Sequence, residues 1–244
     1  MHFDAAVFGE FMGTLVLILL GNGVVGGVVL TGTKAENAGW ICVTTGWALA
    51  VLVGIAVATA LGDADAHLNP AFTVASVIMS GRPERLLTYI PAQVLGGICG
   101  ATLVWLFYLP HFALTEDPEK KLACFSTGPA VRGLPHNFFC ELVGTFILVL
   151  VATAFSSHGF AANGVAPGLG PVLTGGLVWS VGLSLGATTG YAINPARDLG
   201  PRIAHAILPI AGKGDSDWSY SWVPVLGPVA GAALAAVFAG VTGM

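Results

Sequence analysis

Two short stretches, Asn69-Pro70-Ala71 and Asn194-Pro195-Ala196, constrain this chain more than anything else in it. Proline suits the first turn of a helix, because its missing N–H would be unpaired there anyway. Asparagine before it is a good N-cap. Each stretch therefore predicts a helix start. The helix after the first, residues 69–79, has 11 residues. That is about 16 Å at 1.5 Å per residue, or about half of a ~30 Å hydrocarbon core. The second is expected over 194–208. One copy alone would be an ordinary capped helix. Two copies, each after a long apolar segment, predict two half-helices whose N-termini meet inside a membrane.

The rest of the sequence agrees with a membrane setting. Hydrophobic residues make up 55% of the 244 positions and charged residues 9%, against about 25% charged in a soluble domain. So few polar groups cannot cover a water-facing surface. The length suits about six spans of roughly 20 residues, and the 34 glycines suit closely packed membrane helices. Net charge is −4 with no basic run, which argues against nucleic acid as a partner. The four cysteines, at 42, 99, 124 and 140, form no Cys-x-x-Cys pair and read as small apolar residues, with Cys124 in a polar and exposed loop. No metal site and no cofactor is expected. The first apolar run contains Glu10 and follows no Lys or Arg, so it reads as a span and not as a cleaved signal peptide.

Spans are expected over residues 5–30, 40–61, 86–109, 138–155, 172–190 and 222–241, with 110–137 as a polar connection. The chain also repeats itself. Glu10-Phe11-Met12-Gly13-Thr14 matches Glu141-Leu142-Val143-Gly144-Thr145, and each copy is followed by a second span, an Asn-Pro-Ala half-helix and a third span. Three spans per repeat is an odd number, so the second repeat must enter from the opposite face. The fold class is thus all-α and integral to the membrane: six transmembrane helices plus two re-entrant half-helices in an inverted repeat. The single domain, 1–244, divides into repeat 1 (about 1–110), the connection, and repeat 2 (about 138–244). Sites in such folds lie near the midplane, where broken helices meet. The charges favour an orientation with the N-terminus outside, because Lys34, Lys120, Lys121, Arg132, Arg202 and Lys213 oppose only Arg82 and Arg85.

Where two helix N-termini face each other, unpaired backbone N–H groups and about half a positive charge from each helix repel cations, hydronium included. The side-chain amides of Asn69 and Asn194 can meet a passing oxygen. The irregular stretches before them, with Asp65, Ala66 and His67 in one and Gly190, Tyr191 and Ala192 in the other, expose carbonyls. Such backbone is tolerated in a membrane where it is buried in protein or lines a water-filled cavity. Acceptor carbonyls ending at two amide donors suit neutral hydroxylic solutes. Arg197, in an apolar context, is functional by default. The sequence Gly182-Leu183-Ser184-Leu185-Gly186 matches a serine-hydrolase pattern, but that motif needs a strand-to-helix elbow and here it lies inside an apolar span. Close helix packing is the expected use of its glycines, and of the pairs Gly23/Gly27, Gly96/Gly100 and Gly227/Gly231.

The whole pattern resembles the aquaporin and aquaglyceroporin family (major intrinsic proteins). It rests on the two Glu-bearing spans, His67-Leu68-Asn69-Pro70-Ala71, Gln93 in the third span, and Asn194-Pro195-Ala196-Arg197-Asp198. The resemblance implies a passive pore in a multi-pass cell-membrane protein (the inner membrane in a Gram-negative source), assembled as homotetramers with one pore per subunit. It takes precedence over the charge count and places the N-terminus in the cytoplasm. It implies a selectivity filter of Trp47, Gly182, Tyr191 and Arg197, with Trp47 and Tyr191 as an apolar wedge and Gly182 leaving room for a carbon backbone. That set looks like the glycerol-facilitator branch, so glycerol and small polyols are the implied solutes, with some water. Glu10 and Glu141 would hold pore-loop N–H groups, and Gln93 and Asp198 would be structural.

Two features depart from the family pattern: Asp65 stands where Gly is usual, and Tyr191 where Phe is commoner. A water-selective pore of the same fold is the nearest alternative. A secondary transporter would need titratable groups beside the broken helices, and Asp198 with Glu141 is the only candidate pair.

Overall fold

A computed structural model describes residues 4–244 and is all-helical over them. In chain order the helices are α1 (Ala5–Val29), α2 (Trp40–Ala60), α3 (Pro70–Ser80), α4 (Glu84–Phe107), α5 (Leu109–Leu114), α6 (Pro118–Ala123), α7 (Leu134–Phe155), α8 (Leu169–Leu185), α9 (Pro195–Ile207) and α10 (Val223–Thr242). A 3-10 turn, Gly186–Thr188, prolongs α8. Six helices are long and apolar enough to cross a membrane: α1, α2, α4, α7, α8 with its 3-10 turn, and α10. Side chains such as Ile41, Leu87, Phe107 and Val241 point outward, where a bilayer solvates them. The protein is thus a multi-pass membrane protein. The half-helices α3 and α9 have 11 and 13 residues, too few to span.

The packing follows the repeat. Within each half the first and third spans pair, α1 with α4 and α7 with α10. Between halves the half-helices are exchanged: α9 packs on α4, and α3 on α10. Glycine makes the within-half pairs close. A Cβ at Gly96 would stand 2.4 Å from the Phe11 carbonyl oxygen, and one at Gly231 would stand 2.2 Å from that of Leu142. Phe11 and Leu142 occupy matching places after Glu10 and Glu141, so the same contact is built twice. Gly97 and Gly200 let α4 and α9 approach in the same way, with Cβ positions 2.8 Å from the Ala196 and Val94 oxygens.

Three expectations need correction. Within the chain Gly23 and Gly27 do not mediate a close helix approach: a Cβ at Gly23 meets nothing within 4 Å, and one at Gly27 meets the Tyr108 hydroxyl at 3.4 Å and Ala35 Cβ at 3.8 Å. The connection 110–137 is not simply polar and exposed. It carries α5 and α6 and then dips into the protein, so that Cys124 and Phe125 are fully buried. Finally, α8 is regular only to Leu185, because the chain must turn there to deliver the second pore loop.

The cations that upset the charge count have structural employment. Arg202 is fully buried. Lys121 is buried and donates to the Ala211 carbonyl. Lys213 Nζ donates to the carbonyls of His205, Ala206 and Leu208, each at 2.7 Å, and so caps the C-terminus of α9. Arg132 forms a fork-like pair with Asp217 at 2.8 and 2.9 Å. These residues sit where they do for folding reasons, and their bias says little about orientation.

The close approach of α10 to α7 is directly testable. Gly231→Val forces a side chain onto a backbone carbonyl and is expected to cost about 1–3 kcal/mol, seen as a lower unfolding temperature in detergent. Gly23→Ala, in open space, is expected to stay within about 0.5 kcal/mol of the parent. Equal behaviour of the two would show that the contact is not tight.

Candidate functional site

The two half-helices begin alike. Asn69 Oδ1 accepts from Ala71 N at 2.9 Å, and Asn194 Oδ1 accepts from Ala196 N at 3.0 Å and Arg197 N at 3.2 Å. The amide nitrogens then cross. Asn69 Nδ2 donates to the Ile193 carbonyl at 2.9 Å, and Asn194 Nδ2 to the Leu68 carbonyl at 2.8 Å. The N-termini are thereby tied to each other's loops, with the Pro70 and Pro195 turns meeting in the interior. Each amide carries two N–H groups, and the crossing bond uses one. The other is free to donate sideways.

The loops that lead into these caps are unusual backbone. Ala66 and Leu68 in the first, and Tyr191 and Ile193 in the second, have φ between 38° and 50°. Left-handed backbone is uncommon for residues with a Cβ and costs about 1–3 kcal/mol each. The pairs occupy the same positions relative to the two asparagines. What holds each of them is a buried carboxylate that does not itself line the cavity. Glu10 accepts from His67 N at 2.6 Å and Leu68 N at 2.7 Å. Glu141 accepts from Ala192 N at 3.0 Å and Ile193 N at 2.9 Å. Gln93 Nε2 steadies the first, donating to Glu10 Oε2 at 2.8 Å and Thr73 Oγ1 at 3.0 Å. Glu141 and Asp198 each have such fixed partners, so they do not form a free ionisable pair.

A cavity of about 920 Å³ runs from Trp47, Tyr191 and Arg197 past Asn69 and Asn194 to Asp65, Met79 and Ser156. Leu17, Val51, Ile55, Phe72, Leu148 and Val178 give it apolar walls. Ala66, His67 and Ala192 line it too. His67 Nδ1 lies 3.2 Å from Thr73 Oγ1, and its ring meets Tyr89 edge-on at 5.3 Å. At the mouth Asp65 is half-exposed, forms an ion pair with Arg85 and accepts from the Tyr89 hydroxyl at 3.4 Å. Arg85 also donates to Ser76 of α3 at 3.1 Å. The extra carboxylate therefore fastens the loop to α3 and α4.

At the other end the Arg197 guanidinium lies 4.1 Å from the centre of the Trp47 ring and donates from Nη1 to the Phe125 carbonyl at 3.3 Å. Trp47 is seated on Gly21, where a Cβ would come within 2.3 Å of the indole. Gly182 and Gly190 are not among the lining residues. The Tyr191 ring covers Gly182 instead: a Cβ there would be 2.9 Å from Cζ and 3.1 Å from the hydroxyl, and one at Gly186 would be 2.5 Å from Cδ1. The space at Gly182 is thus occupied by the tyrosine. Gly190 has φ +82° and packs on Thr127.

Sequence reasoning did not reach Trp40, which meets Tyr191 edge-on at 5.7 Å and donates from Nε1 to the Gly182 carbonyl at 3.1 Å. Its signal was present, since it lies two helical turns before Trp47 on the same face of α2. Phe125 carried none, because its role is played by a backbone oxygen. Ser184 lies on the outer face of regular helix α8, with no strand-to-helix elbow.

The comparisons with known proteins agree with this geometry. The chain is 53% identical over 228 residues to the probable glycerol uptake facilitator protein of Thermotoga maritima, covering 93% of this chain and 94% of that one. It is also 53% identical over 230 residues to a glycerol uptake facilitator protein of Streptococcus pneumoniae, covering 94% and 95%. The X-ray structure of the aquaglyceroporin from Plasmodium falciparum superposes with a TM-score of 0.83 at 29% identity, covering 96% of this chain and 94% of that one. The model for the major intrinsic protein family matches residues 1–238, and with the doubled Asn-Pro-Ala turns around a continuous cavity it shows that the chain belongs to that family.

Proposed function

We propose that the protein is a passive channel for glycerol and related small uncharged polyols, with some water passing and with ions and protons excluded. The observation that carries this reading is the cavity's division of labour. Its lining combines two kinds of surface: loop backbone, two asparagine amides and the Arg197 guanidinium, and aliphatic and aromatic side chains. A polyol has the same two kinds of surface, hydroxyls on one edge and C–H groups on the other. It can exchange water for Arg197 and the amides while its carbons slide along Trp47, Tyr191 and Leu148. The names of the relatives support the same solute.

Trp47, Tyr191 and Arg197 form the filter, with Gly182 as the seat for Tyr191. Arg197 donates to hydroxyls and repels cations. Asn69 and Asn194 exclude protons: a water at their level receives N–H donors from both sides and the positive ends of α3 and α9, so it cannot pass a proton along a chain. Glu10, Glu141, Gln93 and Asp198 serve the frame. The resemblance and the outward apolar side chains support homotetramers in a lipid bilayer.

The test is stopped-flow light scattering on proteoliposomes. Glycerol entry is expected to exceed that of empty vesicles by well over an order of magnitude without saturating, since no barrier of the size of a chemical step is involved. Glycerol at the empty-vesicle rate beside fast water flux would favour the water-selective alternative. Gly182→Ala should push the Tyr191 ring into the lumen and slow glycerol by about tenfold, equivalent to about 1.4 kcal/mol of barrier, with a smaller effect on water. Tyr191→Phe keeps the ring and should leave glycerol flux within about twofold. Arg197→Ala should admit larger polyols and small cations that the parent rejects, read as ribitol uptake and as dissipation of an imposed ion gradient.

A further inference from the structure

Arg197 is placed by little: the face of Trp47 and one long hydrogen bond to a backbone carbonyl, Phe125 O at 3.3 Å. The same carbonyl also accepts from Asn22 Nδ2 at 3.3 Å. Its own position therefore sets where the guanidinium sits in the pore. Phe125 belongs to the long connection between the repeats, which has no helix of its own at that point.

A second arginine fixes that segment. Arg202 is fully buried and spends all five of its N–H groups. Nε donates to Asp198 Oδ1 at 2.8 Å and Nη2 to Asp198 Oδ2 at 3.0 Å. Nη2 also donates to the Thr127 carbonyl at 2.9 Å, and Nη1 donates to the carbonyls of Ser216 at 2.7 Å and Asp217 at 3.1 Å. Asp198 completes the clamp, since its Oδ2 accepts from both Thr127 N and Thr127 Oγ1 at 2.7 Å. Thr127 is thus held at its N–H, its hydroxyl and its carbonyl, two residues from Phe125. It also backs the second pore loop, where Gly190 leaves only 3.3 Å between a Cβ and the threonine. Ala130 N donates to the Thr188 carbonyl at 3.0 Å, which joins connection and loop again.

Neither Asp198, Arg202 nor Thr127 lines the cavity. A buried ion pair is weak evidence for stability, because desolvation offsets much of the attraction. This pair does something a hydrophobic pair could not: it fixes two backbone segments, at Thr127 and at Ser216–Asp217, by direction as well as distance. We propose that Asp198, Arg202 and Thr127 are positioning residues for the filter, which set solute discrimination from outside the pore by holding the Phe125 carbonyl against Arg197. The inference rests on the polyol-channel reading and names who tunes it.

The experiment compares the parent with Asp198→Asn and Thr127→Val in proteoliposomes, reading the ratio of glycerol to ribitol uptake per reconstituted protein. Thr127→Val removes one hydroxyl bond and keeps the two backbone bonds. Both variants are expected to lower the ratio by about threefold or more, the scale of a remote coupling. Thr127→Val is then repeated in an Arg197→Ala background, where it should change the ratio no further. An unchanged ratio in Thr127→Val, or a change that persists without Arg197, overturns the inference. If Asp198→Asn fails to fold, Thr127→Val decides alone. A parent that passes no glycerol above empty vesicles overturns the channel reading and this one with it. A selective parent with indifferent variants overturns this one only.

Discussion

Two buried carboxylates hold the two loops that line the cavity. Glu10 and Glu141 each accept two successive backbone N–H groups from a loop whose residues are bent into left-handed conformations. Without such an acceptor those N–H groups would be buried and unsatisfied, at about 1–3 kcal/mol each. The bent loops would relax, and the carbonyls would turn away from the lumen. Hydrogen bonding at the back of each loop therefore leaves its carbonyls facing the front. The asparagine amides then lock the two loops to each other at the centre.

How much of this was legible beforehand varies with the kind of signal. The doubled Asn-Pro-Ala stretches and the doubled Glu-x-x-Gly-Thr runs are local patterns with a mechanism, and they lead to the six spans, the half-helices and the inverted repeat. Gly96 and Gly231 were readable as packing glycines, yet Gly23 and Gly27 share their spacing without their contact. Spacing shows which helix face a residue is on and not what faces it. Gly182 is the sharper case. Its smallness was legible, but its use was not, because that depends on the rotamer of Tyr191, a residue from another element.

The connection between the repeats was the least legible part. Its composition is polar, and nothing local distinguishes Phe125 and Thr127 from residues that stay in solvent. They are buried because a half-helix arginine and aspartate from the second repeat demand backbone partners. The i,i+4 spacing of Asp198 and Arg202 was visible in the sequence, but the segment they grip was not.

The exchange of half-helices between repeats also bears on how the protein is made. Repeat 1 contains three spans and α3, but α3 rests on α10, the last helix of the chain. A ribosome that has delivered the first half has therefore delivered a half-helix with its contacts to α4 but without its larger seat on α10. The α3 segment gains its full set of neighbours only when α10 arrives. Each half-helix is thus fully seated only when the other repeat is in place, and removal of α10 strips the main support from the half-helix encoded first.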